Sequence, residues 1–381
     1  MSTIHDPRYS LLVENLKSAR QSRNITQASL AKALGQPQPY VAKVETLERR
    51  LDIIELFDWL DALDYSPQQF FQDIGWFPGD NGVAPLPIKG AVEKHEKGVL
   101  QHLLWQGQIK KVLLEGISEK QYLSVEAKIS DIFASLNLDK PTQKNREAIV
   151  EALELAVKTL PNLNPSDIYQ HIIYRLYLRE YRKSKPEQSW VRAGGEAMEL
   201  FVERHYSPVL KPHGIHIKAL LSGREKAKAL QKMGLSGTVG DSKLDVALYG
   251  EHNNSLVIFG GVHSKASLAE RVSDDVPCSE AMIRLGLSSF LYTFDSKSFP
   301  PPNGDLVNRG ELGSHENPSD KRKYIEEHGS FDCCFSYNLR SNASKGVTRS
   351  GKKIYVCSLN SASDEFPKQV ISAWKSFKSR L

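Results

Sequence analysis

"SKLDVALYGEHNNSLVIFGGVHSK", residues 242–265, is the stretch that decides the fold of the larger part of this 381-residue chain. Its first half alternates apolar and polar residues like a β-strand, "EHNN" has the composition of a turn, and the β-branched second half returns as another strand. We therefore predict a hairpin that brings the Asp245 carboxylate and the Lys265 ammonium group to neighbouring positions of one sheet.

A carboxylate beside an ammonium group suits the hydrolysis of a phosphodiester. Carboxylates bind Mg²⁺, which stabilises charge on the phosphate and lowers the pKa of an attacking water, while the lysine orients that water or offsets developing charge. The segment "SWVRAGGEAMELFVERHY" predicts a helix upstream of the hairpin, and Glu199 on it could complete the metal shell. Glu196 is the alternative on the same helix.

These residues resemble the PD-(D/E)xK nuclease core. More narrowly, residues 190–290 resemble type II restriction endonucleases of the BsaWI-like, CCGG-reading group, through the glutamates of "GGEAME", Asp245, Lys265 and the pair Glu270-Arg271. The resemblance implies an Mg²⁺-dependent endonuclease that cuts double-stranded DNA and has an α/β core with a mixed sheet.

Two positions depart from the usual nuclease pattern: Ala269, before Glu270, stands where a basic residue is often found, and His263 is the other. His263 stands two residues before the lysine, where an acidic residue is usual, so the last carboxylate would come from the following segment. Asp275 and Glu280 are both candidates there, and we select Glu280. The expected catalytic set is then Asp245, Lys265, Glu199 and Glu280, with the three carboxylates as metal ligands.

The first segment has a second recognisable pattern. Thr26 can cap a short helix "QASLAKAL", Gly35 ends it, and "PYVAKVETLERRL" begins another helix, which is the pattern of a helix-turn-helix. Residues 8–75 closely resemble the XRE/Cro-type DNA-binding domain. The resemblance implies that Gln27 contacts phosphate and that three residues of the second helix face the major groove. The DNA-binding residues expected in this domain are Thr26, Gln27, Gln38, Tyr40 and Lys43.

The chain as a whole is predicted to be an α+β multidomain protein. An all-α helix-turn-helix domain (1–78) is followed by a Gly/Pro-rich linker (79–90), a helical subdomain (91–184) and the nuclease domain (185–381). The helical subdomain includes a predicted helix over 96–116, and a further helix is predicted over 279–294 in the nuclease domain.

Composition limits the environment and the partners. A hydrophobic content of 40% with 25% charged residues is typical of a globular chain, and no apolar run is long enough for a membrane helix. The four cysteines show no CxxC spacing, so we expect reduced thiols in a cytoplasmic protein. Duplex DNA is the expected partner, together with a second copy of the chain for palindromic sites and a cognate DNA methyltransferase in the same system.

Other functions fit parts of the same sequence. The leading alternative is an XRE-family transcriptional regulator whose C-terminal domain senses a ligand or dimerises and cleaves nothing. A toxin-like or mobile-element DNA-processing protein is another. If the chain is a nuclease, its helix-turn-helix would serve either as a second DNA-reading module or in autoregulation at a promoter.

Glu270 and Arg271 yield the first prediction, because they follow the active-site strand by five and six residues. Arginine pairs with guanine O6 and N7, and glutamate accepts from cytosine N4, so the pair suits a site with a CC/GG core. Arg271→Ala should lose specific cleavage far more than salt-dependent nonspecific binding. Mapped cut sites and gel shifts measure the two effects. An unchanged site preference would remove Arg271 from recognition.

Overall fold

The computed structural model describes most of the chain. The described residues are 7–67, 70–71, 85–105, 108–138, 144–183, 185–237, 244–268, 272–296, 306–359 and 363–381. The chain divides into two compact units, one comprising Met1–Val83 with Leu104–Ile109 and the other comprising Ala84–Leu103 with Lys110–Leu381. No helix of the described residues is long and apolar enough to cross a membrane.

The first unit contains a helical bundle with a tight turn between its second and third helices. Its helices are α1 (Pro7–Ser22), α2 (Gln27–Ala33), α3 (Gln38–Glu45) and α4 (Ile53–Ala62). The turn between α2 and α3 contains Gly35 at φ +63°, a conformation that glycine adopts without a Cβ penalty. The helix-turn-helix predicted from the sequence is confirmed.

A buried ion pair joins the first and third helices of this bundle. The Arg20 guanidinium donates to both carboxylate oxygens of Glu45, with Nε 2.6 Å from Oε1 and Nη2 2.9 Å from Oε2. Both side chains are buried, beside apolar residues such as Leu16 and Val41. Bidentate geometry of this kind fixes the angle between α1 and α3.

The second unit begins with strands where the sequence predicted a linker and a helix. The three-stranded sheet has the order β1-β2-β3, with β1 at Leu86–His95, β2 at Gly98–Trp105 and β3 at Gln108–Glu115. The linker prediction is therefore wrong for residues 86–90, and the helix predicted over 96–116 is wrong for its described residues, which form β2, β3 and turns. Apolar runs such as "GVLQHLLW" do not distinguish a short strand from a buried helix by periodicity.

Helices cover the next part of the second unit. They are α5 (Glu119–Ala134), α6 (Asn145–Thr159), α7 (Pro165–Asp167), a π-helical segment (Ile168–Tyr174), α8 (Arg175–Glu180) and α9 (Pro186–Leu210). Their apolar side chains share one continuous core with the large sheet that follows, from Val99 to Trp374. The boundary predicted at residue 184 is therefore not a division between two cores, and 91–184 is not an independent subdomain.

A six-stranded mixed sheet forms the centre of the second unit. Its order is β4-β5-β6-β7-β8-β9, with β4 (Ile215–Ala219), β5 (Val246–His252), β6 (Ser255–Lys265), β7 (Ser288–Thr293), β8 (Cys333–Ser336) and β9 (Lys353–Val356). Strands β4, β5 and β6 pair antiparallel, and β6 to β9 pair parallel. The helices between and after these strands are α10 (Gly223–Lys232), α11 (Val272–Arg284), α12 (Asp320–Glu326) and α13 (Glu365–Lys378).

The predicted hairpin is confirmed and its turn is explained by two asparagines. Asn253 and Asn254 have φ of +47° and +59°, as a tight two-residue hairpin turn requires. Gly260 on β6 pairs with Ser288 on β7, and a Cβ at Gly260 would lie 2.5 Å from the Ser288 carbonyl oxygen. Glycine there permits the close approach of β7.

The helix predicted over 279–294 is wrong in its second half. Helix α11 ends at Arg284, Gly286 reverses the chain at φ +73°, and "SSFLYT" forms β7. An apolar run rich in aromatic residues fits a strand buried on both faces, with parallel neighbours on each side. The late strands predicted in "FDCCFSYNL" and "KKIYVCSLN" are confirmed as β8 and β9.

The Arg20–Glu45 pair yields a prediction for the stability of the first unit. Glu45→Ala leaves a buried guanidinium without its carboxylate, a change that typically costs about 3–5 kcal/mol. Hydrogen exchange should then accelerate in α1 and α3 but not in β6. Glu48→Ala is the matched control, because Glu48 is exposed. Equal exchange in α3 of both variants would contradict the structural role of the pair.

Candidate active site

The hairpin of β5 and β6 places an aspartate and a lysine in direct contact. Asp245 immediately precedes β5, and its Oδ2 accepts from the Ser264 backbone N–H at 2.9 Å and from Lys265 Nζ at 3.0 Å. Asp245 is buried, and Lys265 is largely buried at the end of β6. The sequence prediction that these two side chains meet is confirmed.

Lys226 is a further cation at this site, and sequence reasoning missed it. It projects from α10, and its Nζ lies 3.2 Å from Asp245 Oδ1 and 3.7 Å from Glu199 Oε1. Its segment "GREKAKALQK" contains four basic residues, and the helical spacing that sets Lys226 apart from the other three does not show which part of the fold Lys226 reaches. Asp245 therefore has one ammonium group at each carboxylate oxygen.

Glu199 contributes the helix carboxylate. It lies on α9 and is buried, and its Oε2 has no hydrogen-bond partner among the described residues. Burial, followed by the negative charge of Asp245, raises the pKa of Glu199 to about 8. Glu196 faces elsewhere, since it binds Arg146 and Arg192, so the structure favours Glu199 over Glu196 at this site.

The charges around Asp245 keep it ionised. Burial opposes ionisation, but the ammonium groups of Lys265 and Lys226 lower the pKa of Asp245 below its ordinary value. For Lys265, burial favours the neutral form, and the carboxylates of Asp245 and Asp275 outweigh it and raise the lysine pKa. The site therefore combines an ionised aspartate with a charged lysine.

Asp275, not Glu280, is the downstream carboxylate at this cluster. Asp275 lies on α11, and its Oδ2 is 2.8 Å from Lys265 Nζ and 3.9 Å from Nδ1 of the buried His263. Glu280 instead accepts from Ser330 Oγ at 3.1 Å and lies 3.9 Å from Arg284. The choice of Glu280 is corrected, because five residues along a helix turn a side chain about 140° away.

Two of the expected DNA-reading residues belong to the segment between β6 and α11. Glu270 and Arg271 lie outside the described residues, which stop at Leu268 and resume at Val272. Their role in base reading stays a prediction.

The helix-turn-helix residues divide into exposed and buried groups. Gln38 and Lys43 are exposed on α3, and Gln38 Nε2 donates to Gln27 Oε1 at 2.9 Å. Thr26 caps α2 by accepting from the Ser29 N–H at 3.0 Å. Tyr40 is buried, and its hydroxyl oxygen accepts from Trp59 Nε1 at 3.4 Å, so its expected place in the major groove is wrong.

The oxygen donors at the site suit a hard cation. Three carboxylates, from Glu199, Asp245 and Asp275, approach the two lysines, and oxygen ligands of this kind are those that Mg²⁺ prefers. The unpartnered Oε2 of Glu199 is one free ligand atom. Within the described ranges, no three His, Cys, Asp or Glu side chains form a metal-binding group as they stand. These carboxylates suit Mg²⁺ as ligands, and in the metal-free protein the ammonium groups of Lys226 and Lys265 contact them.

Comparison with known proteins identifies the family. Residues 221–362 match the model of the BsaWI restriction endonuclease, type 2, and residues 16–70 match a helix-turn-helix model. The chain is 46% identical over 273 residues to the type II restriction enzyme AgeI of Thalassovita gelatinovora, which covers 70% of this chain and 96% of AgeI. The chain belongs to the type II restriction endonucleases.

A solved structure agrees with this assignment. The restriction endonuclease resembles the crystal structure of a specific AgeI–DNA complex with a TM-score of 0.65, at 46% identity over 70% of this chain and 96% of that chain. A pre-specific BsaWI–DNA complex matches at 16% identity and a TM-score of 0.37, which is too low to support an argument. The chain is thus a site-specific deoxyribonuclease that also contains a helix-turn-helix domain, and this assignment argues against a non-cleaving regulator.

The structure assigns the downstream carboxylate to Asp275 and not to Glu280, and a matched pair of variants tests this assignment. Asp275→Asn removes a charge in contact with Lys265 and should reduce DNA cleavage at least a hundredfold. Glu280→Gln changes a carboxylate outside the cluster and should leave the rate within about threefold. Single-turnover cleavage of a plasmid measures both. The reverse order of effects would restore Glu280 to the site.

Proposed function

We propose that this restriction endonuclease hydrolyses double-stranded DNA in an Mg²⁺-dependent reaction at a site with a CC/GG core. The observation that carries the proposal is the arrangement around Asp245. Lys265 contacts one carboxylate oxygen of Asp245, and Lys226 contacts the other. The carboxylates of Glu199 and Asp275 lie beside these lysines. Structural ion pairs seldom bring this many buried charged side chains together at the end of one strand, whereas active sites often do.

Each side chain has a distinct task in this proposal. Asp245 and Glu199 would hold Mg²⁺, with Asp275 as the third acidic group. The metal supplies charge stabilisation at the phosphate and a more acidic bound water. Lys265 stays protonated between Asp245 and Asp275, and it is placed to orient the attacking water and offset negative charge that develops on the phosphate.

The segment that follows Lys265 is proposed to recognise the DNA sequence of the site. Glu270 and Arg271 would reach the adjacent groove and read neighbouring C·G pairs, each good bidentate contact giving about 1–3 kcal/mol of discrimination. A palindromic site with such a core favours a two-fold symmetric homodimer, which places one active site on each strand. The host's own copies of the site would require protection, so a cognate DNA methyltransferase is the expected partner in the cell.

The first unit is proposed to read DNA independently of the nuclease. Gln38 and Lys43 lie exposed on the helix that enters the major groove in proteins with a helix-turn-helix, and Gln27 is held next to Gln38. Its target would be either DNA near the cleavage site or the promoter of the enzyme's own gene. The domain limits proposed for it are residues 1–78.

The proposal is tested by incubating the full chain with plasmid DNA and Mg²⁺ and mapping the ends. Discrete fragments cut at sites that contain CC/GG are expected, and chelation of the metal should abolish them. Asp245→Ala and Lys265→Ala should each reduce cleavage at least a thousandfold, because each removes a group at the centre of the cluster.

Binding and a surface control complete this experiment. Both variants should still bind DNA in gel shifts. Lys323→Ala removes a partly exposed lysine that is paired with Asp320, and it should cleave like the parent. Undiminished cleavage by Asp245→Ala or Lys265→Ala would contradict the active-site assignment. A cognate site without adjacent C·G pairs would contradict the proposed specificity alone.

A further inference from the structure

Lys226 lies between the two carboxylates that the proposed function assigns to the metal. Its Nζ is 3.2 Å from Asp245 Oδ1 and 3.7 Å from Glu199 Oε1. Only 15% of its side chain is exposed, so the ammonium group faces the site and not bulk water. The position that a shared cation would take between Glu199 and Asp245 therefore already contains a positive charge.

The helix that carries Lys226 is fixed in a way that points this side chain inward. Arg224, Lys228 and Lys232 follow one another at intervals of four residues and are exposed on one face of α10. Lys226 falls two residues from this row, on the opposite side. Ser222 caps the helix by accepting from the Glu225 N–H at 3.2 Å. The inward direction of Lys226 thus follows from the helix register.

The two lysines of the site serve different carboxylate pairs. Lys265 contacts Asp245 Oδ2 and Asp275, whereas Lys226 contacts Asp245 Oδ1 and Glu199. Two buried carboxylates without a cation between them repel each other. Ionisation of both Glu199 and Asp245, which metal binding requires, therefore depends on a nearby cation, and Lys226 is the cation that contacts both. A divalent metal and an ammonium group cannot both occupy that place.

We propose that Lys226 is the internal counter-cation of the Glu199–Asp245 pair and competes with the divalent metal for these carboxylates. The inference rests on the proposed function, because it takes Glu199 and Asp245 as metal ligands. Lys226 acts as a positioning residue: it holds the two carboxylates in place in the metal-free enzyme, and it must withdraw when the metal binds. Its charge lowers the metal affinity of the DNA-free protein.

The test is a calorimetric titration of the full chain with Mn²⁺, a hard divalent cation, in the absence of DNA. Lys226→Met keeps the length of the side chain and removes the charge, so it should bind Mn²⁺ about tenfold more tightly than the parent. Lys228→Met removes the same charge from the exposed face of the same helix and should bind Mn²⁺ like the parent. An unchanged or weaker affinity of Lys226→Met overturns the inference.

Thermal unfolding provides a second readout. Without metal, Lys226→Met should melt at a lower temperature than the parent, and saturating Mn²⁺ should raise its melting temperature by a larger increment than it raises that of the parent. A loss of stability that Mn²⁺ does not reverse would assign Lys226 a merely structural role and overturn the inference. If Lys226→Met does not fold without metal, folding on addition of Mn²⁺ but not of K⁺ supports the inference. Failure to fold with Mn²⁺ overturns the inference.

The parent protein separates this inference from the proposed function. A parent that neither binds Mn²⁺ nor cleaves DNA with Mg²⁺ contradicts the proposed metal-dependent chemistry. A parent that does both, together with a Lys226→Met variant of parental affinity, contradicts only the role of Lys226.

Discussion

Asp245 between two ammonium groups is the interaction on which the catalytic unit depends. A buried carboxylate is costly unless charged partners surround it, and here the partners arrive from β6 and α10. Each of these elements must therefore hold its register: β6 through the turn at Asn253 and Asn254, and α10 through its Ser222 cap. The fold around the site is organised to keep opposite charges within about 3–4 Å of one another.

The same constraint explains why the helices of 119–210 belong to the catalytic unit. Glu199 lies on α9, and α9 reaches the sheet only because α5, α6 and the π-helical segment pack behind it in the same core. Tyr206 on α9 also donates to Asp364 at 2.6 Å, near the chain's C-terminal helix. The helical layer is part of the support of the candidate active site, and it is not a spacer between two domains.

The sequence predicted the parts whose signals are local. Asp245 and Lys265 stand at the ends of one hairpin with a clear turn, and Thr26 with Gly35 marks the helix-turn-helix, so alternation and capping suffice for both. Lys226 and Asp275 come from separate helices and meet the hairpin only through packing, which no periodicity encodes. The strands β2 and β3 were missed because short apolar runs fit either a strand or a helix. Tyr40 was misplaced because its burial depends on Trp59, nineteen residues away.

A relay of hydrogen bonds runs from the interior of the helix-turn-helix to its surface. Arg20 holds Glu45, Glu45 Oε2 accepts from Gln27 Nε2 at 2.9 Å, and Gln27 Oε1 accepts from Gln38. A free glutamine loses rotamer entropy when it orders on DNA, at about 0.5–1.5 kcal/mol for each immobilised side chain. Gln38 is held by Gln27 in the DNA-free protein, so the DNA contact proposed for Gln38 would cost less of this rotamer entropy.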